Sequence, residues 1–215
     1  MRRAGHLFEQ VVDFEALRQA ARRAARGKAR SSAAAGFLVD LEAEVLALQR
    51  ELLEGTYRPQ PYRTFRIRDP KPRTISAAAF RDRVVHQALC AALEPVLERY
   101  AIADSFACRR GKGTLAALRR ARELARRFPW FLQLDVRHFF ESADHAVLQA
   151  QLRRLYKDAR LLALADLFIE AGAPGSPPGK GLPIGNLTSQ HFANLYLGPL
   201  DRLVKEVLRV PGYCR

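Results

Sequence analysis

The sequence has few cysteines and no arrangement of them that would bind a metal or staple a fold. Cys90, Cys108 and Cys214 are odd in number, far apart and without a CxxC pair, which excludes a zinc ribbon and a disulfide framework. The histidines form no HExxH motif and no Cys/His cluster. We therefore expect reduced thiols, and we interpret His138 and His145 as residues that ligate no metal.

Long apolar runs are also missing. The opening stretch MRRAGHLFEQVVDFEAL lacks the uninterrupted apolar segment of a signal peptide, and no window approaches the length that a membrane span needs. The apolar share, 48%, is ordinary, so a normal hydrophobic core is expected rather than disorder. These features predict a soluble cytoplasmic protein with no membrane partner.

Acidic residues are scarce relative to basic ones. Lys and Arg total 36 against 22 Asp and Glu, for a net charge of +14 and a pI near 10.5. Such an excess favours a polyanionic partner, most simply nucleic acid. A GC-rich genome would explain Arg in place of Lys but not this excess. An anionic membrane would need bulky apolar residues on a basic helix, whereas ALRQAARRAARGKAR is mostly alanine on its weaker face.

Hydrophobic periodicity predicts a helix-rich α/β fold of the α+β kind. Helices are predicted at 14–30, 37–53 with Gly55 at the C′ position, 81–100 with a bend or restart at Pro95, 114–128, from Asp144, 158–172 and 188–209 with a bend at Gly198-Pro199. RSSAAAG is predicted as a loop, and the stretch around DPKP as a short basic hairpin.

The stretch FLQLDVRHFF raises the main chemical question. Leu132, Leu134 and Val136 predict a buried strand, which would place the carboxylate of Asp135 at the edge of the core. A carboxylate there is costly unless a cation pairs with it. Two explanations stay open: a structural ion pair with Arg137 or another basic residue, or a divalent cation such as Mg²⁺, which prefers oxygen ligands.

Three basic or glycine-rich segments could bind phosphates. Lys71 and Arg73 on the hairpin could hold a triphosphate, although a charged hairpin can equally be a solvated face. In RRGKGT, the glycines would let a nucleic-acid backbone approach and the cations would contact it, unless the segment only starts a helix at Thr114. The loop GKGLPIGNLTSQ leads into a helix that Thr188 or Ser189 would cap. The free backbone amides at that helix end could bind an anion or a base-paired strand. Considered alone, the segment is better explained as an ordinary junction between a loop and a helix.

Taken in order, five motifs resemble the fingers and palm of reverse transcriptases of the bacterial group II intron and retroelement kind. They are PKPRxI with FRDRVVHQAL, SFACRRGKGT, FLQLDVRHFFESADH, GLPIGNLTSQ and HFANLYLGPLD, and they cover the chain from about residue 56 onward. The form IGxxxSQ, where most of the family has roughly Gln-Gly-x-x-x-Ser-Pro, is similar to the diversity-generating retroelement type. The opening residues also resemble the N-terminal segment of that type.

The resemblance implies an RNA-directed DNA polymerase that uses two Mg²⁺ ions, deoxynucleoside triphosphates, an RNA template and a DNA or RNA primer. Asp135 would ligate the metal, assisted by the carbonyl of Val136. Phe140 would be an aromatic gate against the ribose 2′-hydroxyl, although simple core packing explains it equally well. The remaining implied nucleotide contacts are Lys71, Arg73, His138, Phe139, Ile184 and Gly185; the implied template and primer contacts are Arg109, Arg110, Gly111, Lys112, Gly113, Asn186, Ser189 and Gln190.

Two departures from the family pattern stand out. Ile184 replaces a polar Gln and offers no hydrogen bond, which predicts weaker discrimination between nucleotides. The chain also stops at GYCR, about where a Tyr-x-Asp-Asp motif should begin, and no thumb follows. We therefore expect a fragment with an incomplete site that is inactive alone.

The expected organisation is a basic N-terminal helix or arm at 1–34, a fingers-like region at 35–128 and a partial palm at 129–215. A small basic accessory protein is a further expected partner. Two alternatives remain: a non-catalytic nucleic-acid-binding fragment, and a reverse transcriptase of a group II intron or another retroelement.

Overall fold

The computed structural model describes residues 2–27, 31–68 and 72–215. Its α-helices, in chain order, are α1 Phe8–Val12, α2 Phe14–Ala25, α3 Ser32–Val39, α4 Leu41–Glu54, α5 Phe80–Tyr100, α6 Thr114–Arg127, α7 Phe139–Ser142, α8 His145–Leu155, α9 Ala159–Glu170 and α10 Leu187–Arg202, which continues into a π-helical segment, Leu203–Val207. Two strands, β1 Arg63–Arg68 and β2 Pro72–Ala77, complete the described elements. The predicted helix-rich α+β class is confirmed.

The two strands form the predicted basic hairpin. They pair antiparallel, with Phe65 opposite Ile75 and Ile67 opposite Arg73. The prediction of β1 from alternating apolar and basic residues is therefore confirmed, although the side chains of Phe65 and Ile67 are 46% and 37% exposed. Residues 69–71, and with them the predicted contact Lys71, lie outside the described residues.

Helix α5 is the centre of the hydrophobic core. Its side chains Val84, Val85 and Leu89 are fully buried, and both α2 and α10 pack against it. Pro95 lies within α5 without ending it, so the helix is continuous where a bend or restart was predicted. Removing this much apolar surface from water is the main stabilising term for the fold.

The N-terminal helices belong to the same core. Leu17, Ala20 and Ala21 on α2 are fully buried, and α2 packs against α4 as well as α5. The segment before α1 lies beside the end of α8, because Ala4 hydrogen-bonds with the backbone at Leu155 and Lys157. The basic residues 14–25 therefore form a helix that is packed on one face, rather than an arm that projects from the body.

Helix ends follow the local sequence in most places. Gly55 adopts the left-handed conformation after α4, with φ 72°, and Asp144 and Asp158 cap α8 and α9 through their side chains. The prediction of a loop at 30–36 is wrong from Ser32 onward, because Ser31 accepts a hydrogen bond from Ala34 and starts α3.

The predicted cap of the last long helix is also wrong. Helix α10 begins after Asn186, and Thr188 and Ser189 lie inside it, both buried. The hydroxyl of Thr188 lies 3.0 Å from Nδ1 of His86 on α5. Its side chain therefore joins two helices instead of capping one.

The largest correction concerns the predicted strand. Residues 129–136 belong to no strand or helix, and Phe131, Leu132 and Leu134 are 89%, 82% and 82% exposed. The only sheet among the described residues is the β1–β2 hairpin. A strand needs a neighbour that accepts and donates backbone hydrogen bonds and covers one face, and within 2–27, 31–68 and 72–215 nothing does this for 129–136.

The last residues are held by a buried ion pair. Arg215 donates to both carboxylate oxygens of Asp201, at 2.8 and 2.7 Å, and Tyr213 donates to the same carboxylate. The backbone of Arg215 also hydrogen-bonds with the backbone of Asp104 and Phe106.

Among the helices that the structure describes, none combines the length and apolar character required to cross a membrane.

Candidate functional site

Three segments that are distant in sequence surround one cavity. Its volume is about 200 Å³, room for several water-sized groups. Three residues that the sequence predicted as nucleotide contacts line it, namely Arg73 from β2, Phe140 from α7 and Ile184 from the loop before α10. The other lining residues are Pro72, Thr74, Ser76, Glu141, Ala173, Pro174 and Leu182.

A backbone strap, residues 181–184, connects the two sides of this cavity. On one side, Gly181 and Leu182 donate from their N–H groups to the carbonyls of Ala143 and Phe140, at 2.8 and 2.6 Å. On the other side, the carbonyl of Ile184 accepts from the N–H of Ser76 at 2.8 Å. The strap therefore fixes the distance between α7 and the hairpin, and with it the width of the cavity.

Gly185 allows the strap to lie this close to β2. Its φ is 117°, a conformation that side chains oppose, and a Cβ placed there would lie 2.9 Å from Cγ2 of Ile75 and 3.3 Å from the carbonyl oxygen of Ser76. The sequence predicted Gly185 as a nucleotide contact. The structure places it against the hairpin, directly beside the cavity residue Ile184.

Phe140 has a defined orientation at the cavity wall. It is half-buried against the core, and its ring lies edge-on to Phe139 with centroids 5.4 Å apart. Phe139 in turn meets the ring of Tyr196 on α10 at 5.8 Å. Both open interpretations of Phe140 are therefore compatible with its position, because it packs on the core and also faces the cavity.

His138 initiates the turn that presents these rings. It adopts the left-handed conformation, with φ 51°, immediately before α7. Its side chain is exposed and lies 4.0 Å from the carboxylate of Glu141. The predicted role of His138 and Phe139 concerns their backbone, which lies at the entrance of α7 beside the cavity residue Phe140.

Asp135 lies on the exposed segment 129–136, not at the edge of a core as predicted. Within the described ranges, no basic side chain pairs with its carboxylate and no group donates a hydrogen bond to it, Arg137 included. The structural ion pair that the sequence left open is thus absent from the described residues. The neighbouring Val136 is 49% exposed.

No metal-binding cluster is complete within the residues that the structure describes. No group of three or more His, Cys, Asp or Glu side chains converges there. Asp135 therefore has a free carboxylate that can bind a hard cation, and a full set of ligands would require further carboxylates.

Two of the predicted template contacts are used inside the protein. The guanidinium of Arg109 forms a two-pronged ion pair with Glu98 and donates to the carbonyls of Ile102 and Ser105. Lys112 donates to the carbonyl of Ala103 and lies 5.0 Å from the ring of Phe106, and burial lowers its pKa. Both cations hold the loop between α5 and α6 together.

The remaining residues of that loop are accessible. Arg110 and Gly111 are exposed, and Arg110 has no ion pair within the described part of the chain. Gly113 has a φ of 100° and precedes α6, so glycine is needed there for the backbone path. If this loop binds a phosphate, the groups that can reach it are the side chain of Arg110 and the backbone around Gly111.

The predicted contacts at the start of α10 divide in the same way. Asn186 and Ser189 are buried at 4% and 2% exposure, whereas Gln190 is exposed. The buried amide nitrogen of Asn186 has no hydrogen-bond partner within the part of the chain that the structure describes. Of these three side chains, Gln190 is the one that an incoming strand can reach directly.

A buried polar cluster behind the hairpin was not predicted. Tyr57 donates to Asp82 at 2.7 Å, and the N–H of Gln60 donates to the other carboxylate oxygen at 2.9 Å. Burial raises the pKa of Asp82, with these hydrogen bonds opposing the shift. One turn later on α5, burial lowers the pKa of His86 to about 3, so its imidazole is neutral beside Thr188.

The sequence did carry a signal for this cluster. Asp82 and His86 recur with Leu89 and Leu93 at spacings of four, three and four, so both polar residues lie on the apolar face of α5. Glu141 carried no comparable signal. It is the acidic residue of the cavity wall, and nothing in FFES distinguishes it from a solvent-facing helix residue.

Comparison with known proteins finds sequence similarity to intron-encoded proteins, among others. No model of a protein family matches the chain. It is 29% identical to the protein YkfC of Escherichia coli over 77% of this chain and 46% of that protein. It is 27% identical to the group II intron-encoded protein LtrA of Lactococcus lactis, over 77% of this chain and 29% of LtrA.

A shorter match involves a maturase. Over 87 residues, 40% of this chain, it is 31% identical to nuclear intron maturase 1, mitochondrial, of Arabidopsis thaliana, and covers 12% of that protein. The chain thus spans less than half the length of each of these relatives. These similarities support the reverse-transcriptase family that the motifs predicted.

Proposed function

We propose that the chain supplies the fingers and part of the palm of an RNA-directed DNA polymerase, and that the cavity binds the incoming deoxynucleoside triphosphate. One observation carries this proposal. Arg73, Phe140 and Ile184 come from three separate motifs, each predicted to contact a nucleotide, and they line the same cavity. The strong positive charge supports a nucleic-acid partner as well.

Each cavity residue has a distinct proposed role. Arg73, together with Lys71, holds the triphosphate, because a guanidinium can grip two phosphate oxygens at once. The ring of Phe140 occupies the space that a ribose 2′-hydroxyl would require, which selects deoxynucleotides. The backbone at His138 and Phe139 supports the nucleotide from the α7 side.

Asp135 and the carbonyl of Val136 are the proposed metal ligands. Their accessibility, and the absence of a basic partner for Asp135 within the described residues, fit this role. Bound magnesium would stabilise negative charge on the attacking and leaving oxygens. The proposed reaction joins a primer 3′-oxygen to the α-phosphorus of the nucleotide and releases pyrophosphate, and it requires carboxylates beyond the one that this chain is seen to offer.

The template side is assigned to the accessible residues. An RNA template and its primer would run past Arg110, Gly111 and Gln190, whose side chains or backbone are exposed. Arg109 and Lys112 act indirectly, because their hydrogen bonds hold the loop before α6 together, and Asn186 and Ser189 are buried at the start of α10. The strand contacts therefore fall on fewer residues than the motif alone implies.

Two subtypes are supported by different observations. The IGxxxSQ form, with Ile184 at the cavity, favours a diversity-generating retroelement, in which an apolar residue at this point weakens nucleotide discrimination. The similarity to LtrA favours a group II intron protein. A template and variable repeat pair beside a gene for a small basic accessory protein would support the first subtype, and flanking intron RNA would support the second.

Nucleotide binding tests the proposal in this chain. Calorimetric titration with dGTP and MgCl₂ should give saturable binding that Arg73→Gln weakens about tenfold, the loss of roughly 1.4 kcal/mol expected for a charged contact. Arg63→Gln is the matched control, since Arg63 is an exposed arginine of the same hairpin outside the cavity. Phe140→Ala should reduce the ratio of the affinity for dGTP to the affinity for GTP.

The same titration separates the alternatives. RNA binding without any nucleotide binding would favour a non-catalytic nucleic-acid-binding fragment. Equal affinities of Arg73→Gln and Arg63→Gln for dGTP would reject the assignment of the cavity. Catalysis itself is tested by primer extension on an RNA template, comparing the 215-residue chain with a version that carries a Tyr-x-Asp-Asp hairpin after Arg215.

A further inference from the structure

Helix α6 stands out because it contributes nothing to the core. None of its fourteen residues is buried. Arg119, Arg122 and Arg126 are exposed, and none of them forms an ion pair within residues 2–27, 31–68 and 72–215. The helix therefore presents several uncompensated charges to its surroundings.

These three arginines share one face of the helix. They follow each other at spacings of three and four residues, which places them one above the other on successive turns over about 10 Å of helix axis. Arg120 points elsewhere and is neutralised by Asp104 and Glu123. Like charges at these spacings destabilise an isolated helix, so the row has a physical advantage only beside a polyanion.

The arginine row is separate from the cavity. No residue of α6 lines the cavity, and the row follows the template loop 109–113 by a full turn or more. Its neighbours on the helix include apolar side chains, since Leu115 and Leu118 are each 62% exposed near the N-terminal end of α6.

We propose that the row of Arg119, Arg122 and Arg126 is a second nucleic-acid surface, which binds the sugar-phosphate backbone of RNA in addition to the strand contacts proposed for Arg110, Gly111 and Gln190. Planar guanidiniums bind phosphate oxygens in pairs, and contacts to phosphates position a nucleic acid without reading its sequence. The choice of RNA rests on the proposed function, in which RNA is the polyanion that this protein meets. Charge complementarity favours it over a protein partner, because no acid of α6 other than Glu123 is available to balance the row.

Salt dependence measures this interaction directly. Binding of an RNA hairpin is followed by fluorescence anisotropy between 50 and 250 mM KCl for the full chain and for the triple variant R119Q/R122Q/R126Q. Loss of three phosphate contacts should reduce the slope of log K against log [KCl] by about 2 to 3, at 0.7 to 0.9 per phosphate. Circular dichroism checks that the variant is folded, which its exposed positions predict.

Two further variants make the result specific. R22Q/R50Q/R154Q removes the same charge from three exposed arginines on separate helices, none of which has an ion pair in the described chain, and it should change the slope by less than about 1. The triple lysine variant R119K/R122K/R126K keeps the charge and should restore most of the slope. A slope change equal to that of the scattered control would overturn the inference.

An anionic membrane is the competing partner, because Leu115 and Leu118 lie beside the row. Flotation with vesicles of 30% phosphatidylserine tests it. Loss of vesicle binding in the glutamine variant, with an unchanged RNA slope, would overturn the RNA assignment. Because dGTP binding in the cavity is measured separately, failure of the proposed function and failure of this inference give different results.

Discussion

The cavity wall and the segment 129–136 carry equally strong motifs, yet only one of them is built into the fold. Arg73, Phe140 and Ile184 are brought together by three backbone hydrogen bonds of the strap 181–184. The apolar residues around Asp135, in contrast, are mostly more than 80% exposed and have no pairing strand in the described residues.

The difference shows that a motif adopts its expected conformation only when the segments that hydrogen-bond and pack with it are present. The strap and the hairpin lie in the same chain and satisfy each other's hydrogen bonds. The stretch FLQLDV has the composition of a strand, but no strand within residues 2–27, 31–68 and 72–215 pairs with it, and its apolar side chains are exposed. Asp135 is therefore exposed, whereas the predicted strand would have placed it at the edge of the core.

The largest expected effect comes from breaking the strap. Gly185→Val introduces a side chain at φ 117° and into contact with Ile75 and Ser76, which should lower the free energy of unfolding by about 3 to 5 kcal/mol. Urea denaturation measures this loss. Gly175→Ala is the control, because its φ of 84° imposes strain but a Cβ there meets nothing within 4 Å; a similar loss in both variants would show that crowding against the hairpin is unimportant.

The two neighbouring arginines of the template loop should separate stability from binding. Arg109→Gln removes the partner of Glu98 in a mostly buried ion pair and should cost about 2 to 3 kcal/mol. Arg110→Gln, at an exposed position, should leave stability within about 0.5 kcal/mol and weaken RNA binding. Denaturation and anisotropy measured on both variants check this division, and reversed effects would contradict it.

Acid should destabilise the protein through His86. Its pKa is about 3 in the folded state because of burial, against about 6.5 when unfolded, so the unfolded chain binds the proton first and stability falls as pH drops below about 6.5. The loss attributable to His86 should reach about 2 kcal/mol at pH 5. Denaturation at pH 7.5 and 5 compares the wild type with His86→Asn, which should lose less; equal losses would show that another group causes the effect.

The smallest effect is expected in the exposed segment. Leu134→Asp should change stability by less than about 0.5 kcal/mol, because the leucine is already 82% exposed. Leu148→Ala on α8 is the buried control and should cost about 2 to 5 kcal/mol.

The sole tryptophan, Trp130, is 88% exposed, so its fluorescence emission should match that of the unfolded chain. A blue-shifted native spectrum would place this segment in a packed environment.

Local sequence rules were sufficient for most helices. Gly55, Asp144 and Asp158 mark helix ends that the structure confirms, and Phe65 and Ile67 identify the hairpin. Each of these signals acts within a few residues of itself. The failures at 131–136 and at the start of α10 depend on long-range partners, a neighbouring strand in one case and His86 in the other.

The candidate site was predictable in its members but not in its assembly. Motif order singled out Arg73, Phe140 and Ile184, whereas the strap that joins them and Glu141 in the wall required three-dimensional information. Sequence could not show that Arg109 pairs with Glu98 while Arg110 has no ion pair among the residues that the structure describes, because both lie in the same basic run. Lys71 lies outside the described residues, so its role stays a prediction.

Hydrogen exchange of the chain with and without dGTP and MgCl₂ tests the central claim most directly, because it locates the nucleotide. We expect slower hydrogen exchange in β2, in α7, in the strap 181–184 and at the adjoining Gly185, with little change elsewhere. The Arg73→Gln variant should show no such protection. Unchanged exchange in these three segments at saturating dGTP, or protection confined to α6, would contradict the assignment of the cavity.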